Sequence, residues 1–349
     1  MTFDVYNHNI FLIVGVSFLV SALFVPIAKK IAFHIGAVDK PNKRRVNKVE
    51  MPTQGGLAIF MAFMIAFMLF VGKNAQMFSI LIGSFIIILT GVFDGINPLK
   101  ARHKLVAQTL AASVIVFYGK IFLTEVTVPG IYFIMPSPLN YIVSIIFIVG
   151  IINAINLIDG LDGLCGGVST IYFLTISIIA FVLNKLGGLD IILSLIMFGA
   201  TLGFLVYNFP PAKIYLGDTG SMFLGFIIAV IALLGFKVAT LTSLVIPLSI
   251  LAIPIFDTAL AILRRLIHGK KIGEPDKEHF HHQLLKLKFS PRKSVLIIYA
   301  INIVFAIVSI LFVLGDRKLA AFIYILLLLL LLFVVLKTDI LFDHKKDKE

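Results

Sequence analysis

Eleven runs of 17 to 21 largely apolar residues follow one another along this chain, at 9–28, 56–72, 77–93, 105–122, 141–158, 168–184, 190–207, 221–238, 243–263, 294–314 and 319–336. Each is long enough to cross the ~30 Å hydrocarbon core of a bilayer as a helix, which needs about 17–25 residues. In lipid no water satisfies an exposed peptide group, so such runs fold as helices or not at all. The expected fold is therefore all-α: a polytopic helix bundle of about eleven spans, forming a single transmembrane domain over 1–336, followed by a charged tail at 337–349. Composition agrees. Apolar residues make up 60% and charged residues 14%, against roughly 45–50% and ~25% in soluble proteins. A soluble enzyme and a disordered chain are excluded. The lone cysteine, Cys165, excludes a disulfide scaffold.

The first run is no cleaved signal peptide, because MTFDVYNHN carries no Lys or Arg and the run is too long. Eleven spans put the termini on opposite sides. Of 30 Lys and Arg, 24 fall in one alternate set of loops. The other set holds only Lys73, Lys120, Lys185, Lys237, Arg317 and Lys318. Basic loops stay in the cytoplasm, so the N-terminus is expected outside and the C-terminus inside. The net charge of +12 then reads as topology and contact with membrane lipid. No basic run is interleaved with stacking aromatics, so nucleic acid is not an expected partner. Asp257 is the only ionisable group well inside a run. A transporter would need a polar path at mid-bilayer, which counts against that alternative.

The polar residues crowd the expected cytoplasmic loops. GVFDGINPLKARHKLVAQ places Asp94 at the end of the third run and Lys104 and Gln108 at the start of the fourth. Asp94 is a solvated helix end, a metal ligand or a general base. NAINLIDGLDGLCGG repeats amide and carboxylate every third residue, as Asn153, Asn156, Asp159 and Asp162. That spacing makes one slowly rotating stripe on a helix and suits a hydrated cation or a nucleotide. NFPPAKIYLGDTGSMFLG breaks the seventh run at Pro210-Pro211, after Asn208. It opens the eighth with Asp218, which is a plain N-cap or a Mg²⁺ ligand beside backbone amides. Tyr215 is an interfacial aromatic or a base-stacking one. RRLIHGKKIGEPDKEHFHHQLL holds Arg264, Arg265, His279, His281 and His282. A zinc reading lacks a Cys or an HExxH-type base, and the arginines favour an anion-binding loop for a diphosphate. VDKPNKRRVNKVEMPTQGG, with Arg44 and Arg45, serves topology or grips a lipid phosphate.

Taken in order, VDKPNKRRV…PTQGG, GVFDG…K…Q, NAINLIDGLDGL, NFPPAKIYLGDTGS and PDKEHFHHQLL resemble the polyprenyl-phosphate N-acetylhexosamine-1-phosphate transferases, from about residue 36 to 290. The span count and HFHHQLL resemble the branch that initiates teichoic acid and enterobacterial common antigen. The resemblance implies transfer of a HexNAc-1-phosphate, GlcNAc foremost, from a UDP-sugar to undecaprenyl phosphate on the cytoplasmic face of a bacterial membrane. UMP leaves, and a cell-envelope polysaccharide or teichoic acid pathway begins. A non-catalytic relative is the other alternative. The implied cofactor is Mg²⁺, or Mn²⁺, and a homodimer is compatible.

Residue by residue, the resemblance makes Asp218 the main metal ligand and Asp94 its partner or the base. It puts Asp159, Asp162 and Asn156 at the nucleotide, with Asn153 on the same stripe, and has Asn208 support the site. Tyr215 would stack on uracil and Lys104 would meet a phosphate. His279, His281 and His282 would line the diphosphate and sugar. Such a reaction brings several negative charges together, so a cation and fixed basic groups must offset the repulsion. The chain departs from the pattern at four positions. Gly95 replaces the second of two paired aspartates, Gln54 an Arg, Asn47 a His and Gln283 an Arg.

Overall fold

A computed structural model describes residues 4–39, 50–128, 131–183, 186–237, 245–267, 269, 279–315 and 317–337. The fold is all-α, with 13 α-helices among those residues. Every apolar run coincides with a helix. They are α1 (Ile10–His34), α2 (Gly56–Phe70), α3 (Ala75–Ile96), α4 (Ala101–Ser113), α5 (Leu139–Leu157), α6 (Leu164–Val182), α7 (Leu189–Asn208), α8 (Gly217–Lys237), the pair α9 (Val245–Ile250) and α10 (Ala252–Ile267), then α11 (Phe280–Lys286), α12 (Pro291–Leu314) and α13 (Arg317–Lys337). Seven of them, α1, α3, α5, α6, α7, α8 and α12, are long and apolar enough to cross a membrane; α2 is apolar but shorter. The chain is a multi-pass membrane protein. Among the described residues three two-stranded antiparallel pairings decorate the helix ends: Asp4–Val5 with His8–Asn9, Val38–Asp39 with Met51–Pro52, and Glu125–Val128 with Ile131–Ile134.

Three local features depart from a plain reading of the runs. The fourth passes from α4 into a π-turn, Val114–Tyr118. The ninth breaks at Leu251 between α9 and α10. Pro254 supplies no N–H for the carbonyl of Ile250, and its ring crowds that carbonyl, which favours a break there. The loop after α10 contains α11, a short helix that apolar periodicity does not announce.

Lipid gives apolar helices little reason to prefer one another, so close packing selects partners. Gly199 and Gly203 of α7 lie against the carbonyls of Val14 and Phe18 of α1, where no Cβ would fit. Ser17 and Ser21 complete that seam, both fully buried. Phe11, Leu19 and Leu23 on the other side of α1 are exposed, as a lipid-facing surface requires. The centre of the bundle is α8, of whose apolar window 89% is buried. It packs against α2, α3, α5, α6 and α7. The first turn of this central helix meets the start of α2 at Gly56 and the last turns of α3 at Gly91.

Candidate active site

The start of α8 is held first by backbone contacts. Residues 52–56 run beside 215–216: Tyr215 N donates to Pro52 O (2.9 Å), Gly55 N to Tyr215 O (3.0 Å) and Gly56 N to Leu216 O (3.0 Å). Gly217 turns the chain at φ +68°, with its Cα against Thr53 O, a conformation that favours glycine. Gly56 then faces the backbone of Gly220, and Gly91 of α3 faces the backbone of Thr219. A methyl at either glycine would strike main-chain atoms. The first turn of α8 is thus wedged between α2 and α3, and Asp218 is placed with little freedom.

Asp218 projects toward α4. Lys104 Nζ is 2.6 Å from Asp218 Oδ2 and 2.8 Å from Asp94 Oδ1. Asp94 Oδ1 also accepts from Leu99 N at 2.8 Å, which shapes the turn between α3 and α4. Burial disfavours the Lys104 charge, but Asp218 and Asp94 outweigh it and raise the ammonium above its ordinary range. Beside this trio lies the loop between α5 and α6. Burial first, then the charges of Asp218 and Asp162, push Asp159 up to about 8. Asp162 Oδ2 accepts from Ala212 N (3.0 Å). Asn208 Oδ1 accepts from Gly163 N (3.0 Å) and its Nδ2 donates to Ile214 O (2.9 Å). Asn156 Oδ1 accepts from Ser221 Oγ (2.6 Å), one turn into α8. The NAINLIDGLDGL and NFPPAKIYLGDTGS motifs are therefore one hydrogen-bonded unit.

The histidines divide. His281 is buried with its Nε2 against Gly160, and that nitrogen has no hydrogen-bond partner among the described residues. Burial foremost, then His282, lowers it to about 3 despite the pull of Asp257, so it is neutral and wedges α11 onto the Asp159–Asp162 loop. His279 is buried and bonds Asp257 through Nδ1 at 2.9 Å. His282 is half-buried beside His281, with ring centroids 4.2 Å apart.

Lys104 touches both Asp94 and Asp218, while Asn156 reaches α8 through Ser221, and Asp162 and Asn208 tie the α5–α6 loop to the end of α7. Asn153 is engaged differently. Its Nδ2 donates to Gln108 Oε1 at 2.8 Å, an amide pair that clamps α5 to α4. Tyr215 is half-buried, its main chain bound to residue 52. Arg264 and Arg265 are buried near the end of α10. Arg44 and Arg45, like Asn47, Lys270 and Lys271, lie outside the described residues.

Sequence reasoning left several residues without a role. Thr219 Oγ1 donates to Gln54 Oε1 at 2.6 Å, and the Gln54 side chain lies against Gly95 with Nε2 unpartnered among the described residues. Two of the four departures from the motif pattern therefore meet in space, and a Cβ at position 95 would collide with the Gln54 amide. Ser221 carried no signal. Tyr299 Oη donates to Gly163 O across the bundle and gave none either, resembling an interfacial tyrosine. Asp257 was visible as the one ionisable group well inside a run.

Fold and site together define a polytopic, all-α membrane protein whose ion cluster and loops gather at the first turn of a central helix. Residues 77–236 match glycosyl transferase family 4. The chain is 43% identical over 326 residues to the probable undecaprenyl-phosphate N-acetylglucosaminyl 1-phosphate transferase of Bacillus subtilis (strain 168), covering 89% of this chain and 88% of that protein. The decaprenyl-phosphate N-acetylglucosaminephosphotransferase of Mycobacterium tuberculosis (strain ATCC 25618 / H37Rv) is 31% identical over 301 residues, 78% of this chain and 74% of its own. The undecaprenyl-phosphate alpha-N-acetylglucosaminyl 1-phosphate transferase of Haemophilus influenzae is 30% identical over 308 residues, 85% of each. The chain belongs to glycosyl transferase family 4 and is a membrane transferase.

Proposed function

We propose that this protein transfers GlcNAc-1-phosphate from UDP-GlcNAc to undecaprenyl phosphate at the cytoplasmic face of a bacterial membrane, as the first lipid-linked step of a cell-envelope polymer. An oxygen of the lipid phosphate attacks the sugar-bearing phosphorus of the nucleotide sugar. The new P–O bond closes a lipid diphosphate, and the bridging P–O bond to UMP breaks, with UMP keeping the electron pair. The observation that carries this reading is the Lys104–Asp218–Asp94 cluster at the wedged start of α8, in a chain 43% identical over most of its length to a protein named for such a transfer.

Asp218 and Asp94 fit a small divalent cation. Their oxygens are close enough to share one ammonium, and Mg²⁺ is bound by one or two carboxylates together with substrate phosphates and water. Mg²⁺, or Mn²⁺ in its place, would neutralise phosphate charge there. The protein's own groups position the reactants. Lys104 meets a phosphate when it leaves a carboxylate. Asn156, Asp159 and Asp162 line the nucleotide end from a loop that Asn208 braces, and Tyr215 stacks on the base. His279 and His282 face the diphosphate and sugar, with Arg264 and Arg265 adding positive charge.

The test is UMP release by the detergent-solubilised chain with undecaprenyl phosphate, Mg²⁺ and a panel of UDP-HexNAc donors. UDP-GlcNAc is expected to give the largest kcat/KM. No UMP from any donor would overturn the reading.

A further inference from the structure

Asp257 is a carboxylate 4% exposed within α10. A small cavity beside it is walled by Ile158, Leu164, Ile253, Phe280 and Ile298. An ionised carboxylate in such surroundings is costly unless it is paired and hydrogen-bonded. Asp257 meets that condition through two successive residues 22 and 23 positions away. Its Oδ2 is 2.9 Å from His279 Nδ1, and its Oδ1 accepts from Phe280 N at 2.9 Å.

The second bond alone explains how α11 is held. His279 occupies the N-cap position of α11 but makes no side-chain cap. Asp257 instead takes the first free N–H of that helix from outside, an anion at a helix N-terminus. The bond to the imidazole is additional. It consumes Nδ1 and leaves Nε2 as the ring's other nitrogen. A carboxylate on Nδ1 fixes the tautomer and orients the ring.

We infer that Asp257 is the positioning residue for His279: it keeps Nδ1 protonated and presents Nε2 to the anionic substrate. This rests on the transfer reading above. His281, sealed against Gly160, takes no part in that presentation. The unequal environments give two histidines of one short helix different tasks.

Asp257→Asn keeps an acceptor for Phe280 N–H, so α11 stays docked while the carboxylate is lost. In the full-length chain in detergent, kcat for UMP release is expected to fall about 10- to 100-fold, the usual effect of losing such a partner, with KM for undecaprenyl phosphate unchanged. Asp257→Glu should recover part of the loss. The double variant Asp257→Asn/His279→Gln should be no slower than His279→Gln alone, because both changes remove one unit. Losses that multiply, or an unaltered kcat in Asp257→Asn, would overturn the inference. Nitrogen-15 histidine spectra supply a readout independent of turnover. The His279 signal, assigned by its absence in His279→Gln, should show Nδ1 protonated in the wild type and lose that preference in Asp257→Asn; an unchanged tautomer would overturn the inference. A wild-type chain that releases no UMP sinks the transfer reading, and the positioning of His279 is then decided by the tautomer.

Discussion

Lys104 Nζ lies 2.6 Å from Asp218 Oδ2, joining the start of α4 to the start of α8 across 114 positions of sequence, and the same ammonium reaches Asp94 Oδ1 at 2.8 Å. A single cation thus satisfies the two carboxylates proposed to bind metal. Lys104 and a divalent ion therefore compete for those oxygens. Lys104→Gln should bind Mn²⁺ several-fold more tightly than wild type without substrate, read by paramagnetic resonance, while losing on the order of 10²–10³ in kcat as a phosphate-facing charge disappears. Asp218→Asn should abolish turnover and Mn²⁺ binding with little change in thermal stability, since the Asp218 side chain is 30% exposed. Unchanged Mn²⁺ affinity in both variants would remove the metal from this cluster.

Gln54 and Gly95 are mutually fitted. A side chain at position 95 must displace the buried Gln54 amide, whose oxygen holds Thr219 next to Asp218. Gly95→Ala should cost about 1–3 kcal/mol, the usual range for overpacking, measured by thermal unfolding in detergent, and Gln54→Ala in the same chain should relieve most of it. Gly95→Asp should be impaired alone and improved by Gln54→Arg, which supplies a cation for the new carboxylate. A fully stable and active Gly95→Asp single variant would show that the contact has no consequence.

Asp159 gives stability a definite pH slope. Its carboxyl titrates near 3.8 in the unfolded chain and is pushed up to about 8 in the fold, by burial and then by Asp218 and Asp162. Between those values the folded chain binds more protons than the unfolded one. Stability therefore falls as pH rises through that window and levels off above it. Asp159→Asn, measured with chelator, should be more stable than wild type at pH 8.5 and nearly equal to it at pH 4. His281 acts in the opposite sense. Its imidazole is lowered from 6.5 to about 3, so stability from this group rises with pH across that interval, and His281→Gln should flatten the acid limb.

Sidedness is open to direct labelling because the single native cysteine is buried. Lys213 and Lys73 are exposed at opposite ends of the bundle. Cysteine placed at Lys213 should react with an impermeant thiol reagent only after cells are opened, and cysteine at Lys73 in intact cells. The reverse pattern would put the ion cluster outside.

The sequence by itself determined that the chain is an all-α membrane bundle and where its helices lie. Apolar runs in lipid must close their hydrogen bonds internally, which makes helix position a local property. The five motifs likewise exposed most polar residues of the site, because polar groups between apolar runs stand out. Only the tertiary structure decided which of those groups touch. The amide pair of Asn153 with Gln108, the fit of Gln54 over Gly95, the Asp257–His279 bond and the bridging of two carboxylates by Lys104 each join residues from different helices. Whether two such side chains meet depends on the rotation and depth of each helix against its neighbours. In this bundle, glycine-to-backbone contacts at Gly56, Gly91, Gly199 and Gly203 set that depth. The glycines are visible in the sequence, but the backbone each one faces is chosen only when the helices pack.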